Sequence, residues 1–385
     1  MSRSRLQSSV RPRALVGAAA AILLVALPAS QTAGRAAARR PQAPAVSAVP
    51  APVARYFEMA DRFASGPVEP VVREMASLDH TLADTTVRWL AGIVARDGVD
   101  PRLATRVRAA ALLHTHTALA GAPATRFEQE WHLAIARRLV DLQARPPARE
   151  PADATARRRS FERRWWLAMA WYRHGALDLQ ALAAAVRTLT EKFRDDPEVL
   201  LQSGSFAETL AWSRLSATAI VPASLKTKSR EAWLADAQSA YERALAADPD
   251  LDEARLRLGQ VLSERGRHAA ALAALSSVLQ RATSQRLVYL ARLFSGRACE
   301  HLGRFADAVA HYRAAAASCP ACQAPLVALS HAAMKSGDAV EAGASASAVA
   351  TMPSSDVIDP LWEYYSGQFR NLPALLERMR REVAP

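Results

Sequence analysis

DEARLRLGQVLSERGRHAAALAALSSVLQRA, residues Asp252 to Ala282, reads as one helix, a turn centred on Gly266, and a second helix. Two further stretches repeat it. YLARLFSGRACEHLGRFADAVAHYRAAAASCP runs from Tyr289 to Pro320, and QAPLVALSHAAMKSGDAVEAGASASAVA from Gln323 to Ala350. The turn glycines Gly266, Gly303 and Gly337 are spaced 37 and 34 residues apart, and the small residues Ala271, Ala308 and Ala342 follow at the same spacings. Self-similarity at such a period is the signature of a repeat architecture. One helix pair cannot bury its own apolar face, so successive pairs must stack.

The pattern resembles the tetratricopeptide repeat (TPR), a helix–turn–helix unit of roughly 34 residues. Leu258-Gly259 fits the Leu-Gly pair of its first helix; the second stretch keeps Gly296 but has Ser295 before it, and the third has Leu329-Ser330. Ala271, Ala308 and Ala342 fit the small residue of the second helix. Tyr312, Ala315 and Pro320 fit its aromatic, second small residue and closing proline. The first stretch departs at the proline, where Thr283 stands. The third departs furthest, with Ala346 and Val349 in the aromatic and small positions. Upstream, WLADAQSAYERALAADP supplies Ala237, Tyr241, Ala244 and Pro249. Its first helix falls near residues 200–217, beyond an insertion with Pro222 and several lysines. A weaker pair, FERRWWLAMAWYRHG and LQALAAAVRTLTEKFRDDP, ends at Pro197.

Composition supports the same class. Half of the 385 residues are apolar, with Ala and Leu dominant, Arg far commoner than Lys and only 15 Gly. Ala, Leu and Arg lose little freedom in a helix. The fold class is therefore all-α: an α-solenoid of antiparallel helix pairs, with an N-terminal helical region and C-terminal capping helices. Residues 54–145 show helical spacing without the repeat pattern, as in VRWLAGIVAR and RFEQEWHLAIARRLVDL, and read as diverged repeats or a cap. RPPAREPAD at 145–153 is a loop and a candidate boundary. Residues 154–231 hold the weak pairs and 232–351 the clear repeats. Residues 352–385 hold two short amphipathic helices, with Leu372, Leu375, Leu376 and Met379 on one face, expected to close the last repeat.

The N-terminus reads as an address. Arg3, Arg5, Arg11 and Arg13 precede ALVGAAAAILLVAL, Ala14 to Leu27, and small residues follow. That is the layout of a secretory signal over residues 1–29, and 14 apolar residues are fewer than the ~20 that span a bilayer. Residues 30–53 form a Pro/Ala-rich linker, too poor in large apolar side chains to pack. The expected location is periplasmic or secreted, or tethered to the membrane if the segment is retained. The net charge is 49 − 37 = +12, falling to +8 without residues 1–29. No basic stretch is interleaved with stacking aromatics, which argues against nucleic acid.

No motif demands catalysis. H-E-x-x-H, G-x-S-x-G and the phosphate loop are missing, and no cofactor is implied. Cys319-Pro-Ala-Cys322 is a candidate local disulfide in a turn, with free thiols as its rival and metal or redox use a distant third. Cys299 falls inside a first helix and reads as core. His114 and His116, two apart on a helix, point to different faces and do not make a metal pair. Arg157–Arg159, Arg163 and Arg164 read as a solvated helix start. What remains is a non-enzymatic scaffold that takes a protein or peptide partner. The resemblance implies a concave groove lined by first helices, which here brings in Gln260, Glu264, Arg297, Glu300, His301, His331 and Lys335. The alternative is a ligand-binding or enzymatic domain at 54–160 built around His114 and His132, with the repeats as its adaptor.

Overall fold

The computed structural model describes residues 49–384 except 122–124, 213–220, 227, 354–356 and 367–370. The expected signal segment, and the linker as far as residue 48, lie outside the described residues. Among the described residues there are seventeen α-helices and no strand. They are α1 (Ala51–Ser65), α2 (Val68–Ala76), α3 (His80–Asp97), α4 (Pro101–Leu119), α5 (Arg126–Gln143), α6 (Ala152–Gly175), α7 (Leu179–Lys192) and α8 (Pro197–Ala211). After a short 3-10 turn at Ala223–Leu225 come α9 (Arg230–Ala247), α10 (Asp252–Glu264), α11 (His268–Arg281), α12 (Gln285–His301) and α13 (Phe305–Ser318). The chain ends with α14 (Gln323–Ser336), α15 (Ala339–Ala350), α16 (Pro360–Ser366) and α17 (Leu372–Glu382). Helix α1 starts at Ala51 and buries Val53 completely, so the last residues assigned to the linker are helix instead.

From α6 onward the helices pair in order: α6 with α7, α8 with α9, α10 with α11, α12 with α13, α14 with α15. Each of the last three pairs turns on its glycine. Gly266, Gly303 and Gly337 have φ of +74°, +71° and +88°, a conformation that costs a residue with a Cβ. Beyond each glycine the chain bonds back over the helix end: Arg267 N–H to Leu262 O at 2.8 Å, Arg304 N–H to Cys299 O and Asp338 N–H to Ala333 O, both at 2.9 Å.

Inside a pair, glycine on the first helix lets the second approach. A Cβ on Gly296 would lie 2.4 Å from the ring of Tyr312, and one on Gly204 equally close to Tyr241. Both tyrosines then reach a glutamate one turn further on: Tyr312 Oη donates to Glu300 at 2.7 Å, and Tyr241 Oη to Glu208 at 2.8 Å. The same Gly–Glu–Tyr unit in α8/α9 and α12/α13 identifies α8 as the first helix of its repeat. In α10/α11 the partner of Gly259 is Leu275, and Ser263 stands where the glutamate would be. Gly296→Ala should therefore cost about 1–3 kcal/mol by overpacking. Tyr312→Ala in the same chain should remove most of that increment. Denaturant melts of the two single variants and the double variant measure the coupling, and strict additivity would refute the contact.

Helices α4 and α5 also form a close pair, but α1–α3 depart from the ordered pairing. α1 packs on α3 and α4, α2 on α4, and α3 on α5. The result is a bundle whose core holds Tyr56, Phe57, Phe63, Leu90, Leu112 and Leu139. The last helix joins this bundle. Leu375, Leu376 and Met379 are buried as their spacing predicts, but α17 packs on α1, α4 and α6 and not on the final repeat. The expectation that it closes α14/α15 is thus corrected. Arg380 supplies the reason, since its guanidinium donates to Phe63 O, Ala64 O and Gly66 O, the open carbonyl end of α1.

The arginine run is also not the solvated helix start that was expected. Arg158 is 3% exposed, pairs with Glu150 and donates to the Gln143 and Val99 carbonyls. Arg163 meets Asp196 and Glu198, both at 3.0 Å, and Arg164 chelates Glu382 on α17. Arg157, paired on the surface with Asp153, and Arg159 are exposed as expected; Arg158, Arg163 and Arg164 stitch separate segments together.

Candidate functional site

The helix pairs present one row of first helices, α8, α10, α12 and α14, and α16 lies across that row. Its contacts reach all four. Tyr364, 2% exposed, hydrogen-bonds through its hydroxyl to Glu208 of α8. Arg257 of α10 sits over the Tyr364 ring at 4.1 Å and donates to the Tyr364 carbonyl at 3.3 Å. Phe294 of α12 meets the same ring edge-on at 5.0 Å. Asp359, just before α16, accepts from Tyr289 Oη of α12 at 2.8 Å and from the Ala324 N–H at the start of α14 at 3.3 Å. Tyr365 packs on Trp212 at 4.0 Å, beyond the end of α8.

Under Tyr364 lies a buried polar knot. Glu208 accepts from Tyr241, Tyr364 and Arg257, and Arg257, itself 2% exposed, also pairs with Glu253 at 2.9 Å. Burial first, and then the Glu208 charge, pushes the Tyr241 and Tyr364 hydroxyls well above their usual range, which keeps both as neutral donors. Every charge in the knot has an opposite partner, as burial demands.

Beside α16 is a cavity of about 550 Å³ between Leu361 and Tyr365 on one side and α12 and α14 on the other. Five residues of the predicted groove set line it: Arg297, Glu300, His301, His331 and Lys335. Glu300 accepts from Tyr312 and meets His331 Nδ1 at 2.8 Å; His301 stacks on His268 at 4.5 Å. Burial and the neighbouring His301 lower the pKa of His268. The other two members of the set stand outside the cavity wall. Gln260 is 2% exposed and donates to Glu264 at 3.0 Å; Glu264 pairs with Arg230 and, at 2.9 Å, with Arg297. The set thus forms a ladder along the first helices. Glu208, Arg257 and Tyr289 were missed. Glu208 was within reach of the sequence: once Tyr241 is placed against Gly204, the glutamate four residues on repeats Gly296–Glu300.

Cys319 and Cys322 are joined as a disulfide, Cα atoms 5.4 Å apart, linking the end of α13 to the start of α14. Cys299 is free and buried. Thiol titration of the unfolded chain should count one reactive thiol before reduction and three after it; three before reduction would exclude the bond.

In the N-terminal bundle His114 and His132 are brought together, Nδ1 to Nδ1 at 2.7 Å, and Tyr56 Oη lies 2.8 Å from His114 Nε2. Both rings are shut in the core, at 0% and 2% exposure, so they offer no open pocket to a ligand. His116 points elsewhere, against the Phe63 ring. Among the described residues no group of three His, Cys, Asp or Glu side chains is placed to hold a metal ion.

Residues 234–293, covering α9 to the first half of α12, match the tetratricopeptide-repeat family. No curated protein matches the chain in sequence. Among solved structures it is similar to PilW, a widely conserved type IV pilus biogenesis factor, at 18% identity over 64% of this chain and 95% of that one, with a TM-score of 0.43. PilF of Pseudomonas aeruginosa is similar at 14% identity, over 59% and 88%, with a TM-score of 0.42. MamA is similar at 15% identity, over 51% and 98%, with a TM-score of 0.38. Residues 234–293 thus hold tetratricopeptide repeats, and helices on both sides of them continue the same consecutive pairing.

Proposed function

We propose that this protein is a non-enzymatic scaffold of the cell envelope that holds a partner's peptide segment on the face formed by α8, α10, α12 and α14. One observation carries this reading. That face already holds a peptide segment, Asp359 with α16, through side chains of α8, α10 and α12 and a backbone N–H of α14. The backbone group it grips, the Tyr364 carbonyl, belongs to recognition of a chain and not of a small metabolite. The envelope location rests on the signal-like residues 1–29 and agrees with a Cys319–Cys322 disulfide, which persists in oxidising compartments. No helix among the described residues is long and apolar enough to cross a membrane.

A photo-crosslinking residue in place of Lys335, in the cavity, tests the proposal in the producing cell. It should give a discrete adduct with another protein, and the same residue in place of Arg313 on the second helix α13 should not. Equal adducts from both positions, or none from either, would reject binding at this face. N-terminal sequencing of the mature chain should find a start near Ser30; a start at the initiator methionine would reject cleavage.

A further inference from the structure

We infer that α16 is a built-in occupant of the partner site, and that the partner displaces it with a short helix of the same chemistry. This rests on the reading of the first-helix face as the binding face. The chemistry is legible in the contacts: a carboxylate just before the helix, as at Asp359, an apolar residue two positions on, as at Leu361, and paired aromatics five and six positions on, as at Tyr364 and Tyr365.

Three observations support displacement over a purely structural role. First, the site stays paired when α16 leaves. Glu208 keeps Tyr241 and Arg257, and Arg257 keeps Glu208 and Glu253. Release loses the Asp359 bonds to Tyr289 and Ala324, the Tyr364 contacts, the Tyr365 ring on Trp212 and the Glu363 ion pair with Arg286, but Arg286 keeps Glu253 at 2.8 Å, so these buried charges stay paired and the repeats stay folded. Second, α16 fits its site incompletely. The cavity of about 550 Å³ beside Leu361 and Tyr365 is large enough for further side chains, and Lys335 and His301 in its wall offer donors to an acidic one, beside Arg297 and His331, which already meet Glu264 and Glu300. A segment with a longer acidic residue in place of Leu361 gains contacts that α16 does not make. Third, α16 has only seven residues, and a helix that short has no stability of its own in water. It is ordered by the face it lies on, so a competitor need only outbid those contacts.

An occupied site weakens every competitor by the fraction of chains in which the site is free. The probe is therefore a fluorescein-labelled peptide of residues 357–366, VIDPLWEYYS, titrated into the full chain and followed by anisotropy. The variant Asp359→Ala/Tyr364→Ala should bind it at least about tenfold more tightly than the unaltered chain does. A peptide carrying the same two alanines should bind neither chain. Tyr364→Phe, which removes only the hydroxyl bond to Glu208 and keeps the packing, should fall between and serves if the double variant is unstable. Equal affinity across the three chains, or equal binding of the alanine peptide, would overturn the inference. So would an unaltered chain that is dimeric in size exclusion while the double variant is monomeric, because the occupant would then be α16 of a second copy. The crosslink from position 335 separates this from the scaffold reading. An adduct equally strong with and without the α16 substitutions sinks displacement and leaves the scaffold; peptide binding without any cellular adduct does the reverse.

Discussion

Glu208→Ala should lower the stability of the chain by about 3–5 kcal/mol, the cost of removing one partner from a buried ion pair. Three donors converge on this carboxylate: Arg257 at 3.0 Å, Tyr241 at 2.8 Å, and the Tyr364 hydroxyl. Alanine takes the Glu208 carboxylate from the guanidinium of Arg257, which keeps Glu253 at 2.9 Å, and strips two buried hydroxyls of their acceptor. Glu208→Gln keeps an acceptor oxygen and should lose distinctly less. Urea melts at neutral pH give the comparison, with unchanged slope if the unfolded surface is the same. A loss below about 1 kcal/mol for the alanine variant would mean that the knot contributes little, against the general cost of buried unpaired groups.

Mild acid should be as damaging as that substitution. Burial holds His116 down to about 4, and burial with the nearby Arg257 charge holds His174 down to about 3. Burial also lowers His114 and takes His132 to about 4. In the unfolded chain each imidazole takes up its proton near pH 6.5. The unfolded state therefore binds protons first as pH falls, and stability declines below about 6.5 until the folded rings protonate in turn. At pH 5 the shortfall is about 2 kcal/mol for each of His116 and His174, with His114 and His132 adding in the same direction. Melting temperature should drop steadily from pH 7 to pH 5. His174→Gln, which retains a polar side chain beside Thr209 without a titrating ring, should flatten part of that slope. A pH-independent melting temperature over this range would show that these rings are not buried in neutral form.

The repeats were legible because their signals are local. A glycine at the end of a helix, a small residue five places on and an aromatic in the second helix all act within one unit, and Gly303, Ala308 and Tyr312 do so as read. The pairing of α8 with α9 also followed, because the register of Tyr241 and Pro249 placed a first helix near residues 200–217, although the insertion hides the period. The helix face of Leu375, Leu376 and Met379 was readable, but its destination was not. Helical periodicity says that a face is buried, not against what, and α17 packs onto helices at the other end of the sequence. Arg164 and Arg158 were misread for the same reason, since their partners Glu382 and the Val99 carbonyl are remote in the chain. The candidate site divides along this line. The wall residues Arg297, Glu300, His301, His331 and Lys335 follow from register within a repeat. Asp359 and Tyr364, which meet the first helices beside that wall from a segment with no repeat pattern, do not.

Amide hydrogen exchange read by mass spectrometry tests most directly whether the first-helix face holds a peptide segment. Seven residues cannot stay helical unaided, so protection in Leu361–Tyr365 can come only from docking. These amides should exchange slowly in the unaltered chain. Asp359→Ala/Tyr364→Ala should speed their exchange to that of an unstructured peptide while α10 and α12 keep their protection. Fast exchange of α16 in the unaltered chain would contradict the account, because the face would then hold nothing.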